Sequence, residues 1–316
     1  MQCLNPFEKD GKAFNCGHCV NCRINRTSEW SLRLLYELSC HYEDGASFLT
    51  LTYNDENLPD DKGLEKEELQ KFFKRLRKNL QSRYHEFAPK ILYYAIGEYG
   101  TKELIYKSPG AEKCHGRPHY HAIVFGLNNW NDEHREIVRK SWSLCEPWFF
   151  DKERGRKSGM QEVTANDIQY VCGYVQKKLY GEMSVSVYGE SSPPFSISSQ
   201  GLGLEFAMQN KARLLNNGYT MFKGHKVSVP RYFCEKFGIK KGDLINEKVS
   251  VEKLKKENNY IFEKFKADMQ RQNTWYPDNE KMLSKRFLQW YERKLWTFAS
   301  DIEYEYQQRA KMRGQL

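Results

Sequence analysis

Two histidines separated by a single residue, His119 and His121, lie in the run Gly116-Arg-Pro-His119-Tyr-His121-Ala-Ile-Val-Phe125-Gly. Side chains alternate along a strand, so both imidazoles point to one face and Tyr120 to the other. Two imidazoles on a rigid strand make a base for a metal ion. Two neighbouring histidines with no special role fit the spacing as well. Glu98 closes an earlier apolar run, Ile91-Leu-Tyr-Tyr-Ala-Ile-Gly-Glu98, ahead of the loop that leads to His119. If the two runs pair as an antiparallel hairpin, Glu98 can reach both histidines. A His-His-Glu set with open positions suits a divalent cation, and mixed N and O donors accept Mn²⁺ or Mg²⁺ working with a phosphate.

Downstream, Tyr170, Tyr174 and Lys178 are spaced i, i+4, i+8, with Lys177 alongside. On a helix they share one face, and the two tyrosine Cα atoms stand about 6 Å apart along the axis. Half-buried core tyrosines would show the same spacing. A tyrosine with an ordinary pKa near 10 is a weak nucleophile at neutral pH. A metal that neutralises a phosphodiester would supply the missing activation, and Lys177 or Lys178 could steady the phosphate. Attack by such a tyrosine gives a phosphotyrosyl DNA end and a free 3′-OH, and the conserved bond energy lets the reverse reaction reseal the strand.

A third group opens the chain. Cys3, Cys16, Cys19 and Cys22 form C-x12-C-x2-C-x2-C, with His18 among them. Tight C-x2-C steps hold thiolates on one metal, so the pattern reads as a structural zinc knuckle. An iron–sulfur cluster or plain thiols remain open alternatives. Arg23, Arg26 and Arg33 follow closely and could meet phosphate. Nine cysteines, an odd number, argue for a reducing compartment and against a disulfide framework.

These groups need elements to position them. Helical periodicity is expected over 28–42, with Leu32, Leu35, Tyr36 and Leu38 as its stripe. A strand is expected over Phe48-Leu-Thr-Leu-Thr-Tyr53. The clearest amphipathic helix covers 65–87, with Leu69, Phe72, Phe73, Leu76 and Leu80 on one side. Ile91 to Glu98 and His119 to Phe125 read as strands, the second as a central one because Ala122 to Phe125 are continuously apolar. Helices follow over 131–142 and 165–180, with a short strand at 160–164 between them. The latter helix opens on capping-type residues and buries Ile168, Val171, Val175 and Leu179. Residues 196–203 are polar and glycine-containing, 204–215 look helical, 219–229 suggest a hairpin around Gly224, and Pro230 starts another helix. From 249 to 314 the chain reads as a charged helical tail. The expected division is a Cys-rich module (1–27), a nuclease core (28–190), an accessory segment completing it (191–248) and the helical C-terminal region (249–316).

Composition narrows the class. Hydrophobic residues make up 40% and aromatics 14%, enough for a substantial core, and a net charge of +9 suits a polyanionic partner. No stretch approaches ~20 consecutive apolar residues, so no membrane span is expected. There is no G-x4-G-K-[ST] phosphate loop and no H-E-x-x-H motif. Ile123 stands where a histidine-triad hydrolase would carry a third alternating histidine. The H-x-T pairs of two-motif phosphoesterases are absent too. A non-catalytic zinc and DNA-binding module could use the cysteines and basic charge alone, but gives no reason for the histidines and tyrosines to coincide.

His119-Tyr-His121 followed by Tyr170-x3-Tyr174-x3-Lys178 resembles the HUH endonucleases that start rolling-circle replication. Tyr-Val-Cys-Gly-Tyr-Val-Gln-Lys-Lys is similar to the paired-tyrosine motif of the gene A protein of isometric coliphages. Taken with Cys-Gly-His-Cys-x2-Cys-Arg, Phe-Leu-Thr-Leu-Thr-Tyr, Gly-Glu-Tyr-Gly and Pro-Arg-Tyr at 230–232, the pattern over about residues 3–235 resembles the replication initiators of gokushoviruses, microviruses of bacteria. The resemblance implies an α+β fold, an antiparallel central sheet flanked by helices. It implies nicking of origin DNA, a 5′-phosphotyrosine link and circle closure. By position, His119 and His121 become metal ligands for Mg²⁺ or Mn²⁺, Tyr170 and Tyr174 nucleophiles, and Lys178 the supporting lysine. Glu98 as third ligand lies outside the two motifs. Plasmid-type initiators, relaxases and transposases share this class. Single-stranded or supercoiled origin DNA, a host helicase and host replication proteins are the implied partners, in the cytoplasm of the bacterial host.

Overall fold

The computed structural model describes residues 3, 7–9, 12–17, 20–41, 45–100, 106–177, 182–222, 225–239, 263, 266–267 and 270–271. The chain forms two compact units: Met1–Leu32 with Ala207–Leu316, and Arg33–Phe206. In chain order the elements are β1 (Phe7–Lys9), β2 (Lys12–Phe14), α1 (Val20–Leu38), β3 (Ala46–Leu51), α2 (Lys66–Tyr84), β4 (Leu92–Tyr99), β5 (Pro118–Phe125), α3 (Asp132–Ser141), β6 (Met160–Glu162), α4 (Ala165–Lys177), α5 (Glu182–Tyr188), β7 (Phe195–Ser198), α6 (Leu204–Gln209), α7 (Lys211–Asn217), β8 (Tyr219–Phe222), β9 (His225–Ser228) and α8 (Arg231–Phe237).

Unit 33–206 is built on a five-stranded sheet in the order β6-β3-β5-β4-β7, with every pairing antiparallel. Helices flank it, and the architecture is α+β. β5 is the central strand, as its apolar run requires: Ala122, Ile123, Val124 and Phe125 are all fully buried. One face of the sheet presents Leu49, Leu51, Ala95, Tyr120, Ala122 and Val124 to the stripe Leu69, Phe72, Phe73, Leu76 and Leu80 of α2, with Ile137, Val138 and Trp142 from α3 and its end. Burying side chains of this size stabilises by about 1.5–3 kcal/mol each before entropy is subtracted. Asn131 caps α3, its side chain accepting from the amides of Glu133 and His134.

The other sheet face carries the candidate site, and α4 packs on it against β4 and β5. A Thr164–Asp167 capping box starts α4. Asp167 Oδ2 accepts from the Thr164 amide at 2.7 Å, and Thr164 Oγ1 accepts from the Asp167 amide at 3.3 Å. Ile168, Val171 and Cys172 are fully buried and turn the opposite side of the helix outward.

Several boundaries differ from expectation. α1 begins at Val20, not at residue 28, and runs continuously across 27/28. Its buried side includes Thr27, Ser31, Arg33 and Glu37, which break the hydrophobic period that would have marked it. The Arg33 guanidinium donates to the Leu202 carbonyl, and Glu37 accepts from the Gly203 amide. Residues 195–198, read as polar loop, form edge strand β7, where the exposed side tolerates serine. The single helix expected at 204–215 is two, α6 and α7, separated at Asn210. Helix 65–87 stops at Tyr84 and continues as a 3₁₀ turn, because His85 adopts φ +53°. In the other unit, β1–β2 and β8–β9 are antiparallel hairpins, and Pro230 caps α8. Residues 223–224 and most of the 249–314 tail lie outside the described residues.

Candidate metal and tyrosine site

The β4–β5 ladder sets the site. Glu98 pairs with His119 and Ile96 with His121, so the three functional side chains share one sheet face. The loop closing this hairpin is pinned near its base: the Gly100 amide donates to the Arg117 carbonyl at 3.0 Å, and Tyr106 bridges His115. Gly116 is required there, because a Cβ would fall 1.6 Å from the Gly100 carbonyl oxygen.

Four polar atoms meet one carboxylate oxygen or each other. His119 Nε2 lies 3.1 Å and His121 Nε2 3.0 Å from Glu98 Oε1. The Tyr170 hydroxyl donates to the same oxygen at 2.9 Å, and the Tyr174 hydroxyl donates to that of Tyr170 at 2.8 Å. The Tyr170 ring stands edge-on to both His121 and Tyr174. Helical spacing on α4 and strand alternation on β5 therefore bring Glu98, His119, His121, Tyr170 and Tyr174 into one chain of contacts. Lys178 lies outside the described residues, and Lys177 is described only as a helical residue.

The remaining imidazole nitrogens are held from behind. His119 Nδ1 donates to the Arg117 carbonyl at 3.1 Å. His121 Nδ1 lies 3.1 Å from Thr50 Oγ1 on the neighbouring strand, where Thr50 is its register partner. Phe48 stacks on His121 with centroids 5.3 Å apart. Arg117 is itself fixed by Asp55 and the Tyr53 carbonyl. Thr50, Phe48 and Arg117 were not singled out from the sequence. The alternation in Phe-Leu-Thr-Leu-Thr puts Phe48 and Thr50 on one face, but only the β3–β5 register places them behind His121.

The electrostatics follow from burial and contact. Burial opposes ionisation of Glu98, yet the hydrogen bonds from His119 and His121 outweigh it and hold its carboxyl down at about 2. Burial pushes His121 below the ordinary imidazole value, with Glu98 working against that shift. Burial drives Tyr170 well above a normal phenol, helped by its bond to Tyr174 and the Glu98 charge. It raises Tyr174 to about 12.

The ligand set fits a divalent cation. One carboxylate oxygen and two imidazole nitrogens lie within 4.8 Å of one another. A carbonyl cannot donate, so His119 Nδ1 carries the proton in its bond to Arg117. The Nε2 lone pair then faces a carboxylate oxygen, a contact that closes only with a second proton or a metal cation between them. His121, kept neutral by burial, offers the second nitrogen.

His115, beside the motif, is not part of this set. It is buried, bonded to Ser108 and to the Gly116 carbonyl, while Cys114 is exposed. In the other unit, the thiols of Cys3, Cys16 and Cys22 lie within 4.8 Å of one another; Cys19 and His18 are outside the described residues.

Residues 46–179, which span β3 through α4 and so include every member of the Glu98 cluster, match the family model for Replication-associated protein ORF2. This central stretch belongs to that replication-associated family. Outside the matched segment the likeness continues. The chain is 30% identical over 249 residues to Replication-associated protein ORF4 of Chlamydia phage 1, covering 73% of this chain and 57% of that protein. It is 32% identical over 232 residues to Replication-associated protein ORF2 of Spiroplasma virus 4, covering 69% and 65%. With Replication-associated protein VP4 of Bdellovibrio phage phiMH2K it shares 27% over 227 residues, covering 70% and 66%. The chain thus spans less than two thirds of the length of these relatives. No solved structure matches it. No helix among the described residues is long and apolar enough to cross a membrane.

Proposed function

We propose that this chain is a phage replication initiator that nicks single-stranded or supercoiled circular origin DNA through tyrosine, keeps the 5′ end, and rejoins ends to release circles. The observation that carries the reading is the meeting of His119 Nε2, His121 Nε2 and the Tyr170 hydroxyl on Glu98 Oε1. Core histidines or core tyrosines alone would have no reason to converge on one buried carboxylate. The similarity to phage replication-associated proteins supports the same choice.

Glu98, His119 and His121 would hold Mg²⁺ or Mn²⁺, whose chemistry there is neutralising the non-bridging phosphate oxygens and aligning phosphorus. Tyr170 is the attacking residue nearest the ligands. Its oxygen bonds to phosphorus as the P–O3′ bond breaks. The electron pair goes to the 3′ oxygen, which takes up a proton, while the phenol proton leaves to solvent. Tyr170 is 44% exposed, so DNA and water both reach it. A 3′-OH attacking the phosphotyrosine reverses the step with no net bond loss, which is why resealing needs no ATP. Tyr174, one turn away, provides a second attack at the same ligands. Lys178 is assigned the phosphate contact from its spacing. With no phosphate-loop motif in the chain, strand separation is assigned to a host helicase.

The test is covalent capture. The full chain is incubated with Mn²⁺ and circular single-stranded origin DNA, then run on a denaturing gel. We expect a protein–DNA adduct that disappears when Tyr170→Phe and Tyr174→Phe are combined. Undiminished adduct in the double variant would remove the tyrosines from the reaction.

A further inference from the structure

The thiol cluster in the first unit has no part in that reaction. Cys3, Cys16 and Cys22 come from three separate stretches, namely the chain start, the turn after β2 and the first turn of α1, yet their sulfurs lie within 4.8 Å of one another. Cys3 and Cys22 are buried and Cys16 is half-buried. The Cys16 amide donates to Cys3 Sγ at 3.1 Å. An N–H aimed at sulfur stabilises a thiolate, the form that binds metal. Gly17 follows at once with φ +76°, giving the tight turn that such a knuckle needs.

The surroundings point the same way. Between Cys3 and Cys16 lies the β1–β2 hairpin, with three residues in each strand, and it carries the chain back on itself. A hairpin this short is not stable alone in water. Its aromatic pair, Phe7 and Phe14, stacks at 5.7 Å but stays 53% and 44% exposed, so apolar burial does little to anchor it. The polar stabilisation therefore has to come from the sulfur end. One disulfide would use only two of three mutually close sulfurs, whereas tetrahedral zinc takes three or four. Zn–S bonds of ~2.3 Å put sulfurs about 3.8 Å apart, inside the observed spread.

We propose that Cys3, Cys16 and Cys22 bind a structural Zn²⁺ ion that ties the start of the chain to the first turn of α1. The ion replaces the thiol protons, which are released on binding, and no electron is transferred.

The experiment uses the full chain purified under reducing conditions without added metal. Elemental analysis should find about one zinc per chain, kept through dialysis against Mg²⁺. Cys3→Ser and Cys22→Ser should each lower the zinc to near none, while Cys114→Ser, an exposed cysteine away from the cluster, should leave it unchanged. The His119→Ala/His121→Ala double variant should also retain the zinc, so loss of nicking and loss of zinc are read apart. Cd²⁺ exchanged into the unaltered chain should give the ultraviolet thiolate-to-metal band of at least three sulfurs, a readout that holds even if the serine variants fail to fold. The proposal is overturned by a folded chain without zinc, by zinc surviving in Cys3→Ser and Cys22→Ser, by a cadmium band of two sulfurs or fewer, or by iron with visible absorbance in its place.

Discussion

Replacing Tyr120 by Phe isolates the scaffold from the chemistry. Tyr120 lies between the two histidines but on the opposite sheet face, and it is 0% exposed. Its hydroxyl makes three contacts: to the Tyr53 hydroxyl at 2.8 Å, from the Glu65 amide at 2.9 Å, and to the Glu65 carbonyl at 3.1 Å. Glu65 is the N-cap of α2 and supplies no side-chain cap of its own, so the buried phenol does the capping from the sheet. Phe keeps the ring and removes the oxygen. The Tyr53 hydroxyl, 4% exposed, then loses its partner at about 1–3 kcal/mol. The Glu65 amide adds roughly 1 kcal/mol, less than a buried group because its residue is exposed and water can reach it. The sum is about 2–4 kcal/mol, or roughly 4–16 °C in Tm for a domain of this size. Urea and thermal unfolding of the full chain would measure it. Combining Tyr53→Phe with Tyr120→Phe should cost less than the sum of the single changes, since the orphaned hydroxyl is gone. A Tyr120→Phe loss below about 0.5 kcal/mol would refute the reasoning, because it would mean the capping contacts contribute nothing net.

Two other outcomes follow from the site and its support. The buried phenols lose their protons late: Tyr120 and Tyr174 are raised to about 12, and Tyr53, Tyr99 and Tyr170 higher still, burial being the main cause in each. A raised folded pKa means this contribution is complete below pH ~10 and is lost as pH climbs through 10 and past 12. Unfolding free energy should fall steadily over that window while tyrosinate absorbance rises with unfolding; early tyrosinate in a still-folded chain would contradict it. Thr50→Val keeps the shape beside His121 but removes its Nδ1 partner, and should weaken Mn²⁺ binding ~10–100-fold by calorimetry with the fold intact. Unchanged affinity would take Thr50 out of the site.

Much of the sheet unit was legible because its signals are periodic. The β5 residues alternate up to His121 and then run apolar, which identifies a strand buried on both faces. The hairpin expectation for Glu98 needed one more fact, a register that pairs it with His119. Helix α2 shows an unbroken apolar stripe, so its extent could be read almost to the residue. What escaped notice was polar and cross-strand. The early turns of α1 bury Thr27 and Ser31 where a reader looks for leucine. β7 is a four-residue edge strand rich in serine, with too few positions for a period to emerge. Thr50 looks like any strand threonine until the β3–β5 register sets it against His121.

The central position of β5 has a consequence for how the site breathes. The amides and carbonyls of the His119–His121 stretch are laddered to neighbours on both sides, so they exchange with solvent only when the sheet parts and the domain opens as a whole. Tyr170 and Tyr174 ride on a helix whose backbone bonds are its own, and it can open locally while the sheet stays shut. The ligands thus share the stability of the entire domain, whereas the tyrosines share only that of one helix. DNA of changing shape can be followed by the half of the site that moves cheaply, and the half that must hold its geometry does not have to yield.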